Sequence, residues 1–588
     1  MSWFSDSLTV LGSQWSDLLR LLAVFGLGGV LTFGLLRRAL KEHLDTPDTF
    51  LLALAGWPIW WVLSAFLAFF IDLQLEFGPG WTAFLVAMLG LLLLPGWKKT
   101  PAPLGKFSGL LFALILAFLF SLLTRLAFLA ELLVPSYFDG ALHYNISRHL
   151  LTNFGQWPWE TVPPLVKGYY HTGFHLLTAS AAFVTNTDIS QAILIVGQVT
   201  LAVLPFPVFL VTKRETGSTL AAFFALALAG WGWNMPAHAL NWGKYPALAG
   251  LLALQFALAI AFTATRNISG RVKISLLALF LVGTAVSTLI HTRSLVVIFI
   301  FIFGYFAAML WGILPNRVKW AALALLLAGL VGFVIYIESR SILNLVFDPY
   351  LRAGLWMSML VTAFSPFAFK RFERLAMTCL LALFLLLACL LLPLPGDWFQ
   401  TPLDRPFVQM MLYLPLALLG GLGLAGLHAE SFKGWVHVLA TAAVFSAVFV
   451  DIGREYNFSP SPCCILFKHD DAIAFAWMDE NLPADAHILV AGNTLNVFDI
   501  ENPSGLRGAD GGDWIPLLID RQTSIEHLGV DFSAGVAFNS LCERGVTHIY
   551  VGGSQERFNL AGLESRPEWY AWQLTLPGAS VFQVIGCP

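Results

Sequence analysis

Apolar runs of seventeen or more residues recur from Leu18 to Val450 and constrain the fold more than any other feature of the sequence. Inside a bilayer every backbone N–H and C=O must be bonded within its own segment, so each run reads as a spanning helix. We read about 14 spans, near 18–36, 49–71, 80–97, 107–130, 189–211, 217–236, 245–264, 274–291, 294–313, 320–337, 353–369, 375–394, 406–427 and 435–450. Only 12% of the 588 residues are charged and the mean hydropathy is +0.74, which excludes an ordinary soluble chain. The first run lacks a basic lead-in and a small-residue cleavage site, so no removable signal peptide is expected. The expected fold class is a polytopic α-helical membrane protein.

Loop charge orients these spans. Basic residues of short loops favour the cytoplasmic side, and here they fall in alternate loops. One side holds 17 Lys and Arg, from Arg37, Lys98, Lys213, Arg266, Lys319, Lys370 and Lys433 and their neighbours; the other holds 8. The richer side is expected to be cytoplasmic, with the N-terminus, the loop after Ala130 and the C-terminal region outward. The segment HTGFHLLTASAAFV, His171 to Val184, is apolar but too short to span. It is expected to lie in the outer interface or dip into the bundle, since counting it as a span would invert everything downstream.

The charge also divides the chain. From Asp451 onward there are 7 basic and 18 acidic residues, a net of −11; residues 1–450 hold 26 and 18, a net of +8. We expect an N-terminal three-span extension (1–106), a transmembrane body (107–450) with an outward loop (131–188), and an extracytoplasmic α/β domain (451–588). In the last, helical "DDAIAFAWMDENL" and "AGVAFNSLCERG" precede strands "HILVAG" and "THIYVGG". A terminal hairpin is expected across Pro577 and Gly578. "RGADGGDWIPLLIDRQTS" reads as a long loop, able either to close over a membrane site or to sit on the surface held by Trp514. The tail has few basic residues, which argues against nucleic acid as a partner.

The candidate chemistry sits in the loop, at SYFDGALHYNISRHLL, Ser136 to Leu151. Asp139 and His143 are four apart and share a helix face. The loop also carries Tyr137, Glu160 and Tyr170, followed by His171 and His175. Other loops on that side add Lys244, His291, Arg293, Arg352, Asp404 and Arg405. Acids, bases and tyrosines gathered at one end of a bundle are what a polar site facing that side requires.

"YFDGALHYNISRHLLTNFGQWP", "YYHTGFHLL", "NWGKYPAL" and "DRPFVQMMLYLPLALLGGLGL" resemble prokaryotic membrane proteins with bodies like those of the GT-C superfamily of membrane glycosyltransferases. The resemblance spans roughly residues 107–450 and implies a GT-C-like fold in the inner membrane of a prokaryote. It implies transfer of a sugar from a polyprenyl-phosphate donor, with inversion, to a glycan, lipid or protein acceptor on the outer face. Carried over, Asp139 is the base or positioning acid and His143 its partner or a phosphate ligand. The donor phosphate would be held by outward cations, Arg405 foremost, then Arg293, Lys244 and Arg352. The loop residues Tyr137, Glu160, Tyr170, His171 and His175 would face substrate. The sequence departs from the family in its three preceding spans. It also lacks a paired-acid D-x-D and the WWDYG of oligosaccharyltransferases, which disfavours a metal-dependent oligosaccharyltransferase.

Two other readings compete. A silent structural or assembly subunit would not need Asp139. A lipid-linked-sugar transporter would need broken or polar mid-membrane helices, which spans 274–313 and 375–427 lack. "LLGGLGLAGL" fits close helix packing instead. His171 and His175 have metal-ligand spacing but no intervening Glu and no evident third ligand, so they read as interfacial; a divalent metal is left open. Arg125, inside a span, expects Glu131 or a lipid headgroup as partner. Cys463 and Cys464 are each expected to pair with one of Cys542 and Cys587, in either register.

Overall fold

The computed structural model describes the chain except residues 1, 41–43, 76–79, 93–107, 159–170, 266–269, 341–342, 393–400, 431–433, 455, 495–504 and 588. Glu160 and Tyr170 therefore lie outside the described residues. Among the described residues, eleven helices are long and apolar enough to cross a membrane, so this is a multi-pass membrane protein. Three expected spans, 80–97, 217–236 and 353–369, are not among these eleven. Trp81–Leu92 runs to the edge of the described chain. Thr219–Trp231 ends at Gly232. Leu355–Arg371 carries an internal Pro366 and two terminal basic residues, which reduce its apolar length. All three pack within the bundle.

Helix packing follows the small residues. Gly423 and Gly426 of the helix Tyr413–His428 lie so close to the backbone at Phe364 and Phe367 that a Cβ would sit 2.6 and 2.3 Å from their nearest atoms. That contact seats the glycine-rich run against Leu355–Arg371, as expected for association driven by close packing in lipid. Ile189–Thr216 is fully buried at the centre, whereas Asn316–Glu338 and Gly434–Arg454 are exposed at the rim.

The short helix Gly173–Thr185 does not span. Gly173 abuts Leu289 and Ile290 at the end of one span, and Phe183 stacks on Trp81 at 4.9 Å, at the start of another. Both ends thus lie on one face of the bundle, and the helix lies along that face with Ser147–Thr178 and His143–His175 contacts to the helix Tyr137–Thr152. The ion pairs of the membrane body respect the same division. Lys213 and Arg214 bind Asp45 and Asp48, Lys319 binds Glu373 and Lys370 binds Glu430 on one face. Lys244–Asp139, Arg293–Asp404 and Arg352–Asp348 lie on the other.

Arg125 is bonded to groups other than Glu131. It donates to the Tyr456 hydroxyl and to the Gly230 carbonyl at 2.6 Å, with its guanidinium over the Tyr456 ring at 5.2 Å. A buried cation is thereby satisfied by the segment leading into the C-terminal domain. An amphipathic helix not anticipated from the sequence, Ser2–Ser13, joins the same corner, where Trp3 stacks on Phe458 at 5.1 Å.

The C-terminal domain is built on strands β1 (His487–Thr494), β2 (Leu506–Gly508), β3 (Gln522–His527), β4 (His548–Val551), β5 (Tyr570–Thr575) and β6 (Ser580–Val584). β1 is parallel to β3 and β4; β2 pairs β1, and β6 pairs β4 and β5, antiparallel. The terminal hairpin turns at Pro577 and Gly578 as expected. The long glycine-rich loop contains β2 and leads into β3, two strands the sequence pattern did not reveal.

The cysteine pairing differs from expectation. Cys542, at the end of the helix Gly535–Glu543, pairs with Cys587 across a Cα separation of 5.5 Å. Cys463 and Cys464 pair with each other in the turn Pro462–Cys464, which lies at the junction with the bundle and away from that helix.

Two buried carboxylates clasp the loops at the ends of β1 and β4. Asp510 accepts from Gly512 N and Gly552 N, each at 2.9 Å, and Asp471 accepts from Gly553 N at 2.8 Å and from the Tyr550 hydroxyl. Burial pushes Asp510 up to about 8 against the lowering effect of its backbone bonds, and burial pushes Asp513 up to about 6. Native Asp510 thus keeps a proton that the unfolded chain releases near the ordinary 3.8. Between those values the native state binds more protons, so stability falls as pH rises. We predict that the thermal midpoint of the domain, read by tryptophan fluorescence, declines from pH 5 to pH 8. Asp510→Asn should lower the midpoint at pH 5 yet flatten the decline; an unchanged slope would contradict this.

Candidate functional site

The site is organised by the start of the helix Tyr137–Thr152. Tyr137 has φ +63, a costly conformation for a residue with a side chain, and one that recurs where function constrains the backbone. Ser136 fixes the entry by donating to the Leu240 carbonyl at 2.6 Å. That carbonyl belongs to the turn Ala237–Trp242, which ends in Gly243 and Lys244. Gly243 has φ +67, and a Cβ there would lie 2.8 Å from the Asp139 Cβ and 2.9 Å from Gly140 N. Only glycine lets this turn approach the helix so closely. The approach delivers Lys244 to Asp139.

The Lys244 ammonium donates to the Asp139 carboxylate; their side chains are 27% and 7% exposed. Asp139 is thus neutralised by Lys244, whereas the sequence suggested His143. His143 instead shares a hydrogen bond of 3.0 Å with His175 and donates to the backbone carbonyl of Gly243. Burial first, and the Lys244 charge next, lower His143 to about 3, so it is a neutral imidazole near pH 7. Tyr137 is pushed up to about 12 by burial and by Asp139, and keeps its phenolic proton.

The other cations arrive from separate segments. Arg293 donates to Asp404 at 2.6 Å, and Asp404 also caps the helix Arg405–Met411 by accepting from Phe407 N at 3.0 Å. Arg405 follows directly, half-buried, within electrostatic reach of Tyr137 and Asp348. Arg352 is 58% exposed and paired with Asp348 at 2.7 Å and Glu338 at 3.6 Å, so it stands at the margin. His171 packs against His291, ring centres 4.3 Å apart, and His291 stacks on Phe407. Tyr137, Asp139, His143, His171, His175, Lys244, Arg293 and Arg405 thus gather at one end of the bundle. Among the described residues, no three His, Cys, Asp or Glu side chains are grouped as metal ligands.

The C-terminal domain reaches the same place. Trp514, fully buried, meets Tyr144 edge-on at 5.4 Å, and Arg148 donates to the Leu517 carbonyl at 2.5 Å. Ser461 N donates to Asn241 at 2.6 Å, and Glu556 lies within electrostatic reach of Tyr137. The GADGGDW loop thus packs on the helix Tyr137–Thr152 through Trp514. Gly243 and Glu556 were not singled out from sequence: a lone glycine and a distant surface acid carry no local signal.

A family model matches residues 7–356; it is described as a family of unknown function, DUF6541. No curated protein matches the sequence. Among solved structures, the Archaeoglobus fulgidus oligosaccharyltransferase in its apo form is similar at 12% identity and TM-score 0.40, over 76% of this chain and 70% of that one. Its complex with Zn and sulfate is similar at 11% identity and TM-score 0.36, over 80% and 72%. Likenesses this low decide nothing about activity.

Removing one member of a buried ion pair strands the other. We predict that Lys244→Gln costs on the order of 3 kcal/mol in detergent unfolding. Adding Asp139→Asn should recover most of that loss. Additive losses in the two single variants and the double variant would contradict the pairing.

Proposed function

The chain belongs to the DUF6541 family, and we propose that it is a membrane glycosyltransferase of GT-C type acting on a polyprenyl-phosphate sugar. The observation that supports this most is the gathering of one buried carboxylate, Asp139, with Lys244 and Arg405 at the edge of the membrane bundle, beneath the C-terminal domain. A lipid-phosphate donor presents its phosphate at that depth, with its chain in the bilayer.

In this reading the donor phosphate draws Lys244 away from Asp139 and is held by Lys244 and Arg405. Asp139, released from its counter-ion, accepts the proton of the acceptor hydroxyl. The hydroxyl oxygen attacks the anomeric carbon, the bond from that carbon to the phosphate oxygen breaks, and polyprenyl phosphate leaves with the bonding pair. Tyr137, still protonated, positions sugar or acceptor. Arg293 acts through Asp404, fixing the helix start that carries Arg405. His143, neutral and bonded to His175, orients the helix rather than binding phosphate. Arg352, exposed and twice paired, has the weakest claim among the cations. The docked loop around Trp514 limits access to the acceptor side.

The loop charges support an outward site, on the extracytoplasmic face of a prokaryotic inner membrane. The expected test uses proteoliposomes loaded with radiolabelled polyprenyl-phosphate hexoses and a panel of acceptors. Wild type should transfer sugar from at least one donor, and Asp139→Asn should lower the rate about a hundredfold or more. Unimpaired transfer by Asp139→Asn would remove Asp139 as base. No transfer from any donor by folded wild type would favour the silent-subunit reading.

A further inference from the structure

The face of the bundle away from the candidate site contains a second feature that sugar transfer does not use. A cavity of about 560 Å³ opens among the helices Tyr245–Ala264, Arg293–Gly312, Glu373–Leu391 and Tyr413–His428. Its volume is that of a small-molecule site, and its walls are almost wholly apolar, Leu258, Phe280, Phe301 and Leu414 among them. A second cavity of about 230 Å³, with polar walls, adjoins it. The two share Phe262, Thr265, Tyr305, Arg374 and Leu375.

Their place in the membrane follows from the helix that bounds both. Tyr245–Ala264 begins beside Lys244 and Asp139, and its twenty residues advance about 30 Å. Thr265 therefore sits at the opposite boundary of the bundle. Among the described residues there, Lys213 and Arg214 bind Asp45 and Asp48, Lys370 binds Glu430, and Lys319 binds Glu373, which also accepts from Trp311 at 2.8 Å. Arg371 and Arg374, both exposed, line the polar cavity together with Glu215 and Glu373; Glu373 is held by Lys319, whereas the two arginines have no ion pair among the described residues.

An apolar chamber at membrane depth that opens into a chamber with two uncommitted arginines has the polarity of an anionic amphiphile. The geometry points to a binding site for an anionic glycerophospholipid, its acyl chain in the apolar cavity and its phosphodiester at Arg371 and Arg374. The bound lipid touches the far end of the helix that begins beside Lys244, and Leu414 and Leu418 of the span that begins at Arg405. It therefore braces the frame of the candidate site without touching it. The inference stands whether or not the protein transfers sugar.

The test is native mass spectrometry of the full chain, delipidated in detergent, with phosphatidylglycerol, phosphatidylcholine of the same chains, or polyprenyl phosphate added. Phosphatidylglycerol should be retained as one adduct about tenfold or more over phosphatidylcholine, as expected for two interfacial cations. Arg371→Gln/Arg374→Gln should lose that preference while keeping the lipid-free thermal midpoint. Equal retention of the neutral lipid, an undiminished preference in the double variant, or loss of polyprenyl-phosphate retention in that same variant would overturn the assignment.

Discussion

The ion pair between Asp139 and Lys244 is the interaction on which the candidate site depends. It ties the first turn of Tyr137–Thr152 to the start of Tyr245–Ala264, two elements more than a hundred residues apart in sequence. A charge pair at a membrane boundary is sustained only if both members are shielded and well matched in geometry. Gly243 provides the approach, Ser136 locks the adjoining turn, and the helix Gly173–Thr185 covers the far side through His175. In the proposed reaction the same pair supplies a carboxylate and an ammonium that separate when a phosphate enters.

A second constraint acts from outside the bilayer. The C-terminal domain is joined to the bundle by polar contacts at Asn241, Arg148 and Arg125, and by Trp514 against Tyr144. Its glycine-rich loop keeps its shape through Asp510 and Asp471, buried carboxylates that occupy the backbone N–H groups at the strand ends. Those groups are filled from within, and the loop they shape docks on the bundle. The domain acts as a cover over the helix bearing Asp139.

Much of this was legible in the sequence because membrane helices declare themselves locally. Apolar length gave most of the spans, alternating loop charge grouped the loops as the ion pairs group them, and "LLGGLGLAGL" announced a tight helix contact. That His171 to Val184 does not cross was legible for the same reason, the segment being too short. What escaped was set by long-range geometry. Helical spacing joined Asp139 to His143, but the partner came from a turn a hundred residues on. Arg125 needed Tyr456, which no spacing connects to it. The cysteine pairing failed because proximity of Cys542 to Cys587 depends on how the last strand returns past a helix. One span, 217–236, was overcounted in length because its helix ends at Gly232.

The central claim is that lipid phosphate is held at the Asp139 end of the bundle. The most direct measurement is photo-crosslinking with a polyprenyl phosphate bearing a diazirine next to the phosphate, followed by peptide mapping. The account predicts labelling concentrated on residues 136–148 and 400–411, suppressed by unlabelled polyprenyl phosphate and weakened in Arg405→Gln. Labelling confined to the cavity near Arg374, or spread over the exposed helices Asn316–Glu338 and Gly434–Arg454, would contradict it.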